Sequence, residues 1–170
     1  MPKPLSLPFD PIARADELWK QRWGNVPSMA AITSIMRAHQ ILIAELDAML
    51  RPLGITFSRY EALVLLVHSQ DGALPLSKIG ERLQVHATSV TNVIDRLEAA
   101  GLVRREPNPR DGRGILAVIT DEGRKVADKA TVEFNSARFG MSALELADLQ
   151  RLFEVLRVLR VDAGDFTDPE

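Results

Sequence analysis

The 170-residue chain contains no cysteine, so it can form neither a disulfide framework nor a thiolate site that senses oxidants. Aromatic residues make up only 5% of the sequence, which favours helices packed through leucine, isoleucine, valine and alanine. Apolar residues nevertheless reach 46%, enough to form a hydrophobic core. Length and composition together indicate one compact domain, with or without added dimerisation arms.

Long hydrophobic runs are also missing. The longest apolar stretch, residues 62–67, is far shorter than the roughly 18 residues that span a membrane. The N-terminal sequence MPKPLSLPFD is interrupted by proline and lacks the apolar centre of a signal peptide. We therefore expect a cytoplasmic protein without a membrane partner.

The positions of the histidines argue against an enzyme or a metal site. His39, His68 and His86 fall on different predicted helices or turns, and they do not show the His-x-x-x-His spacing of a metal site. An enzyme would also need a nucleophile, a base or metal ligands that converge, and the sequence offers no such set. We predict a non-enzymatic protein without a cofactor or a metal.

Charge is distributed unevenly, although the formal net charge is only −2. Residues 76–120 hold seven lysine or arginine residues and five aspartate or glutamate residues, a net of +2, which leaves −4 for the remainder of the chain. This segment has the sign that the DNA backbone attracts, so DNA contacts are expected there.

Residues 77–100 have the pattern of a helix-turn-helix. A short amphipathic helix is predicted over 77–83, followed by a break at 84–86 and a longer helix over 87–100 that Gly101 ends. The apolar stripe of the second helix consists of Val90, Val93, Ile94 and Leu97. Its opposite face carries short or polar side chains, namely Thr88, Ser89, Thr91, Asn92, Asp95 and Arg96. A polar outward face on the second helix is typical of DNA-reading motifs.

A β-hairpin is predicted directly after this motif. Residues 102–106 and 115–120 are strand-like, and the loop between them is rich in proline, asparagine, aspartate and glycine. Residues 74–76 are expected to add a third strand. The tip of the hairpin contains Arg110, Asp111 and Arg113. A helix-turn-helix followed by such a hairpin is a winged helix.

This arrangement suits double-stranded DNA. The second helix can enter the roughly 12 Å wide major groove. An arginine at the tip of the wing can reach the adjacent minor groove, where the negative potential favours it. We expect Arg113, oriented by Asp111, to make the minor-groove contact, with Arg110 second.

The remaining DNA contacts are predicted from the polar face and the basic residues around it. Contacts with base edges are expected from Thr88, Ser89, Thr91 and Asn92. Phosphate contacts are expected from Lys78, Arg96, Arg104 and Arg105, and His86 in the turn completes the predicted DNA-binding set. For Arg96 a structural role is the alternative, since a pairing with Asp95 or Glu98 would brace the helix.

Residues 90–103, VTNVIDRLEAAGLV, resemble the recognition helix and first wing strand of the multiple-antibiotic-resistance-regulator (MarR) family. Residues 111–113 and 119–123, DGR and ITDEG, are similar to the wing signature of that family, an Asp-x-Arg pair with a Thr-x-x-Gly helix start downstream. The resemblance covers about residues 29–160, and Ile119 departs from it by standing where leucine is usual. It implies a homodimeric, ligand-responsive transcription regulator, in most members a repressor.

Two helices are predicted in the first 50 residues. The first covers residues 10–23 and begins with a capping aspartate followed by proline. Its stripe includes Trp19 and Trp23, which either pack the helix onto the body or line a ligand pocket. Family members with a tryptophan-bearing extension of this kind include urate responders. The second helix covers about residues 27–50.

Capping signals mark the starts of four further helices. They are Ser77 for the first helix of the helix-turn-helix, Ser58 with Glu61 for a helix that ends near residue 68, Thr120 for a helix over 121–139, and Ser142 with Glu145 for the last helix. The apolar face of the last helix is wider than one neighbouring helix needs. It is expected to pack against a second copy of the chain, and an intramolecular bundle is the alternative.

These patterns predict a mainly α protein with a small β wing (α+β), a winged helix-turn-helix with N- and C-terminal helical dimerisation arms. The expected divisions are a disordered tail at 1–9, N-terminal helices at 10–55, a DNA-binding domain at 56–120, C-terminal dimerisation helices at 121–161 and a disordered tail at 162–170.

The resemblance also implies a small aromatic or anionic effector that binds between the arms and the DNA-binding domain. The candidate pocket residues are Trp19, Trp23, Met36, His39, Arg59 and Tyr60, with ordinary structural roles as the alternative for His39 and Arg59. The predicted partners are double-stranded DNA with an inverted repeat, a second copy of the chain, and this effector. A ligand-independent architectural DNA binder or a helical interaction module is the alternative function.

Overall fold

Seven α-helices and a three-stranded sheet make up the computed structural model of the chain, which describes residues 7–109, 111 and 114–167. The helices are α1 (Pro11–Trp23), α2 (Pro27–Leu50), α3 (Phe57–Val67), α4 (Leu76–Leu83), α5 (Ala87–Ala99), α6 (Asp121–Ser136) and α7 (Leu146–Asp162). The strands are β1 (Ala73–Pro75), β2 (Val103–Pro107) and β3 (Ile115–Ile119). The predicted fold class, mainly α with a small β wing, is confirmed.

The three strands form the predicted wing. Strand β3 lies between β1 and β2 and is antiparallel to both, with Val103 opposite Ile119 and Ala73 opposite Val118. Residues 117–119 of β3 are all buried, because this central strand packs against α3 and α4. The hairpin is therefore anchored at its base, next to the helix-turn-helix.

The hydrophobic core fixes the position of α5. Val90, Ile94 and Leu97 are at most 2% exposed and Val93 is partly buried, which confirms the predicted stripe. They belong to one cluster with residues of the neighbouring helices, whose fully buried members include Leu50, Leu63, Leu66, Ile79 and Phe134. Burying each such side chain contributes about 1.5–3 kcal/mol. The second helix of the motif is therefore anchored in the hydrophobic core.

Thr120 joins three elements through one hydroxyl. As predicted, it caps α6, because its Oγ1 accepts the backbone N–H of Gly123 at 3.0 Å. The same oxygen donates to the carbonyl oxygen of Gly101 at 2.8 Å. A Cβ at Gly123 would lie 2.1 Å from the Leu102 carbonyl oxygen, so only glycine allows α6 to approach the wing this closely.

Asp10 also caps α1 as predicted, because its Oδ1 accepts the backbone N–H of Ile12 at 2.9 Å. The caps predicted for α4 and for the last helix are wrong. Ser77 lies within α4, which begins at Leu76 without a side-chain cap. The last helix begins at Leu146, and its N-cap Glu145 likewise makes no side-chain capping bond.

At the start of α3 the first free N–H is satisfied from a distant part of the chain. The N–H of Phe57 donates to Oδ1 of Asp47, on α2, at 2.7 Å, so Ser58 and Glu61 do not form the predicted capping box. Glu61 is instead partly buried, and burial raises its pKa above the ordinary value of 4.5.

Helix α6 ends at Ser136, three residues earlier than predicted. Residues Arg138 and Phe139 have φ values of 49° and 51°, in the left-handed region, and Gly140 has 73°. The turn allows the ring of Phe139 to stack on the buried ring of Phe134 at 4.9 Å between centroids. This stacking accounts for a turn that the local sequence disfavours.

Helix α7 has no buried residue. Its exposed apolar side chains are Leu146, Leu152, Phe153, Val155, Val158 and Leu159. The alternative of an intramolecular bundle for this helix is therefore wrong. Helix α1 and the first half of α2 also expose apolar side chains, among them Leu18, Trp19, Trp23, Ile32, Ile35 and Met36.

The C-terminal segment differs from the disordered tail expected from residue 162. Asp162 is the last residue of α7, and Asp165 then accepts a hydrogen bond at 3.2 Å from the side chain of Gln84, in the turn between α4 and α5. The ring of Phe166 lies beneath the guanidinium groups of Arg157 and Arg160. Of the tails expected at 1–9 and 162–170, residues 1–6 and 168–170 lie outside the described residues. No helix in the described ranges is long and apolar enough to cross a membrane.

Candidate nucleic-acid interface

The outward face of α5 presents the four side chains predicted to contact bases. Thr88, Ser89, Thr91 and Asn92 are all exposed, on the side of the helix opposite its buried stripe. The rigid stripe fixes where these short side chains stand, because each has few rotatable bonds. A helix with a buried apolar stripe and an exposed row of hydroxyl and amide groups can read base edges in a major groove.

His86 begins this helix rather than standing free in the turn. It is the N-cap of α5, and its Nδ1 accepts the backbone N–H of Thr88 at 3.3 Å. The same nitrogen lies 3.2 Å from the hydroxyl oxygen of Thr88. The turn before it is closed by Gln84, which adopts the left-handed conformation with φ of 53°. His86 thus shapes the reading face from within, a role that the sequence analysis did not anticipate.

Arg105 has a different role from the predicted phosphate contact. Its guanidinium pairs with Asp95 at 2.5 Å and with Glu98, and its backbone N–H donates to Glu98 at 3.1 Å. Burial alone would lower the pKa of Arg105, but its hydrogen bonds to Asp95 and Glu98 outweigh that effect and raise it. Arg105 therefore braces β2 against α5, which is the role considered for Arg96 in the sequence analysis. Arg96 itself is exposed and has no ion pair within the described ranges.

Lys78 and Arg104 remain available for DNA. Lys78 pairs with Glu81 at 2.6 Å and Arg104 with Glu106 at 2.6 Å, with more than half of each basic side chain exposed. Such surface pairs are weak and readily exchanged for a phosphate. Both residues lie beside the helix-turn-helix, one on α4 and the other on β2.

The tip of the wing is described in part. Asn108 and Gly114 close the loop through a backbone hydrogen bond of 2.9 Å, and the N–H of Asp111 donates to the Asn108 carbonyl oxygen at 3.1 Å. Arg110 and Arg113 lie outside the described residues, and so does the expected pairing of Asp111 with Arg113.

Arg82 is a basic residue that the sequence analysis did not single out. It is exposed on α4 and, together with Arg104 and Asn108, lines an open groove of about 620 Å³ at the base of the wing. The signal for it was the spacing of Lys78 and Arg82, four residues apart, which places both on one face of a helix.

The six candidate ligand residues do not line a common pocket in the described part of the single chain. Trp19 and Trp23 contact each other with centroids 4.7 Å apart and are 36% and 61% exposed. Met36 and His39 on α2 are also exposed, and Arg59 is partly buried. Tyr60 is instead a core residue, because its ring packs on Phe134 and its hydroxyl bonds to Thr131 at 3.0 Å. In the part of the chain that the structure describes, no group of three or more histidine, aspartate or glutamate side chains is placed to hold a metal ion.

The described elements define a winged helix-turn-helix protein of the DNA-binding class. They are a helix with an exposed polar face, a supporting helix before it and an antiparallel hairpin after it. The family model of MarR matches residues 55–115, which include the helix-turn-helix and the first strand of the hairpin. The chain is similar to Sco5413, a MarR family transcriptional regulator from Streptomyces coelicolor, with 57% identity, 85% of this chain and 100% of that chain covered, and a TM-score of 0.79.

Two further relatives agree. Sco3205, a MarR family transcriptional regulator from Streptomyces coelicolor solved in complex with DNA, is 26% identical, with 88% of this chain and 94% of that chain covered and a TM-score of 0.74. The HTH-type transcriptional repressor Mb2911 of Mycobacterium bovis is 30% identical over 120 residues, which are 71% of this chain and 85% of that protein. The chain belongs to the MarR family, and it is a DNA-binding transcriptional regulator rather than an enzyme.

Proposed function

We propose that this protein is a homodimeric repressor that reads an inverted repeat and is released from it by a small aromatic or anionic ligand. The observation that carries the proposal is the outward face of α5, where four exposed polar side chains lie opposite an apolar stripe that is buried except for the partly buried Val93. A repressor among the relatives, Mb2911, favours this direction of control.

The proposed contacts follow the geometry of the helix and the wing. Thr88, Ser89, Thr91 and Asn92 contact base edges, and Asn92 can bond an adenine through two hydrogen bonds. Phosphate contacts come from Lys78, Arg82, Arg96 and Arg104. Arg113, at the tip of the wing, enters the minor groove, with Arg110 second and Asp111 as the residue that orients Arg113. Arg105 and His86 act by holding the reading surface in shape.

The proposed dimer is supported by the unpartnered apolar faces of α1, α2 and α7. A single chain leaves Val158 69% and Leu146 67% exposed, whereas most large apolar residues of a monomer are at least partly buried. A two-fold axis through these arms would present two copies of α5 on one side. The two reading helices would then meet successive major grooves, roughly 34 Å apart.

The proposed ligand site lies where the arms meet the DNA-binding domain. The exposed pair Trp19 and Trp23 offers aromatic faces, and Arg59 offers a partly buried positive charge close to the helix-turn-helix. Met36 and His39 on α2 complete the set, with the second chain covering the surface. A ligand bound there changes DNA affinity only if it prefers one spacing of the two reading helices.

Fluorescence anisotropy with the full-length protein and the DNA upstream of its own gene tests the proposal. We expect binding that is specific over a scrambled duplex and that weakens steeply with salt, because several phosphates are contacted. Equal affinity for both duplexes would favour the architectural DNA binder, and no binding to either would favour the helical interaction module.

Release by ligand is tested on the same complex. A panel of small aromatic acids and other planar anions is added, and dissociation is followed by anisotropy. We expect release by one member of the panel and its loss in the variant Trp19→Ala. Release that is unchanged in this variant would place the ligand elsewhere.

A further inference from the structure

The hydroxyl of Thr91 donates its proton inside the protein. Its Oγ1 donates to the carbonyl oxygen of Ala87, one turn earlier in α5, at 3.1 Å. This is a common bond for threonine within a helix. A hydroxyl has one proton and two lone pairs, so the exposed Thr91 hydroxyl offers only lone pairs to an outside partner.

The hydroxyl of Thr88 is oriented the same way by His86. Nδ1 of His86 accepts the backbone N–H of Thr88, and a backbone N–H can only donate. Nδ1 therefore carries no proton in this arrangement, and the proton of the neutral ring is on Nε2. Because the same Nδ1 lies 3.2 Å from Oγ1 of Thr88, the hydroxyl is the donor in that contact. Thr88, like Thr91, presents lone pairs to its surroundings.

Ser89, between these threonines, differs from both. It is exposed, and within the described part of the chain its hydroxyl makes no hydrogen bond. It can rotate to donate or to accept. The reading face therefore contains two hydroxyls that can only accept a hydrogen bond from an outside partner and one that can either donate or accept.

We infer that Thr88 and Thr91 read DNA solely as hydrogen-bond acceptors and thereby select the exocyclic amino groups of adenine and cytosine. These amino groups, N6 of adenine and N4 of cytosine, are the donors that base pairs present in the major groove. Guanine O6 and N7 and thymine O4 are acceptors, so opposite either threonine they would leave two acceptors facing each other. The inference rests on the proposed function, because it requires α5 to lie in the major groove. His86 acts as a positioning residue.

The test removes one amino group at a time from the DNA. The full-length protein first selects an operator from random duplexes. Each adenine of the half-sites is then replaced by purine, or each cytosine by 2-pyrimidinone, so that the base loses its amino group and little else. In separate duplexes each guanine is replaced by 2-aminopurine, or each thymine by 5-methyl-2-pyrimidinone, so that the base loses O6 or O4. Affinity is measured by fluorescence anisotropy for the wild type, for Thr88→Val and for Thr91→Val. In these variants a methyl group replaces the hydroxyl. Replacing a base also weakens its base pair, but this effect is the same for the wild type and the variants and cancels when they are compared on the same duplexes. Ser89→Ala is the matched control, because it removes a hydroxyl from the same face that is able to donate as well as to accept.

We expect one amino deletion to weaken wild-type binding about tenfold while Thr88→Val binds the two duplexes alike, and a second deletion to do the same for Thr91→Val. Deletion of a guanine or thymine oxygen that gives this pattern would mean that the threonines donate, and it would overturn the inference while the proposed function stood. The inference also fails if no base replacement distinguishes either valine variant from the wild type. If selection yields no preferred sequence, the proposed function fails with it.

The role of His86 is tested with two substitutions. In His86→Asn the side-chain oxygen can accept the N–H and the hydroxyl of Thr88, as asparagine does at many N-caps. This variant should keep the preference for an amino group opposite Thr88. In His86→Ala the hydroxyl can turn and donate, so an operator with an acceptor at that position should bind almost as well as the selected one. An equal loss of affinity for all operators in His86→Ala would indicate a structural role alone and would remove His86 from the inference.

Discussion

The guanidinium of Arg105 lies 2.5 Å from the carboxylate of Asp95, so the first strand of the wing is joined to the recognition helix by a charge-assisted hydrogen bond. Glu98 binds the same guanidinium and the backbone N–H of Arg105. The Arg105 side chain is 22% exposed, whereas that of its neighbour Arg104 is 57% exposed. Two adjacent arginines thus have different surroundings, and they form a matched pair for mutation.

Arg105→Ala should lower the free energy of unfolding by about 1 kcal/mol, because the partly buried guanidinium and its ion pairs with Asp95 and Glu98 are lost. Thermal unfolding at a fixed protein concentration measures the change, with Arg104→Ala as the control that stays near the wild type. Equal stability of the two variants would show that the brace does not stabilise the fold.

Arg104→Ala should reduce the salt dependence of DNA binding. Loss of one phosphate contact per chain lowers the slope of log K against log salt by about 0.9 for each contact removed. Anisotropy titrations over a range of salt concentrations give the slope. Arg105→Ala should leave that slope unchanged, and an equal drop for both variants would return Arg105 to the phosphate contacts.

Arg113→Ala should weaken DNA binding by about tenfold or more while leaving the fold intact, because the wing would lose its minor-groove cation. Arg110→Ala should have a smaller effect. Affinity is measured by anisotropy and the fold by circular dichroism. Unchanged affinity in Arg113→Ala would remove the wing tip from the proposed binding mode.

Val158→Asp should convert the proposed dimer to monomers, since it places a charge on an apolar face that a second chain would bury. Light scattering after size exclusion should report twice the 18.8 kDa chain mass for the wild type and one chain mass for the variant. Arg151→Ala, an exposed change on the same helix, is the control. A variant that remains dimeric with normal stability would move the interface away from α7.

Glu61→Gln should stabilise the protein at neutral pH but not in acid. Burial raises the pKa of Glu61 in the folded chain above 4.5, so ionisation opposes folding once the pH rises above that value. The advantage of the variant should be greatest above the raised pKa and should vanish below about 4.5. The free energy of unfolding of the variant and the wild type, measured from below about pH 4.5 to neutral pH, checks the sign of the difference. The control is Glu133→Gln, a change at an exposed glutamate. An advantage that grows in acid would contradict the assignment.

The elements set by local sequence could be predicted from it. The stripe of α5, the glycine at its end and the Thr120 cap depend on residues within a few positions of one another. The features that the sequence did not reveal depend on distant partners. Asp47 caps α3 from α2, and Arg105 finds its carboxylates on the preceding helix. Spacing alone could not decide whether Arg96 or Arg105 takes those carboxylates.

Among the candidate ligand residues, Tyr60 also depends on a partner that is distant in the sequence. Tyr60 has the polarity of a pocket residue, but burial against Phe134 and a hydrogen bond to Thr131 give it a core role. Thr131 is 71 positions away in the sequence, and no local pattern connects the two residues.

The hydroxyl of Thr120 has a mechanical consequence. Because it holds the Gly101 carbonyl oxygen and the Gly123 N–H at once, we expect the end of α5, the base of the wing and the start of α6 to move together as one rigid body. In the proposed dimer, a change in the distance between two such bodies would then arise outside them. The left-handed turn at Arg138–Gly140, between α6 and α7, is where a hinge of that kind can flex without disturbing the grip on a duplex.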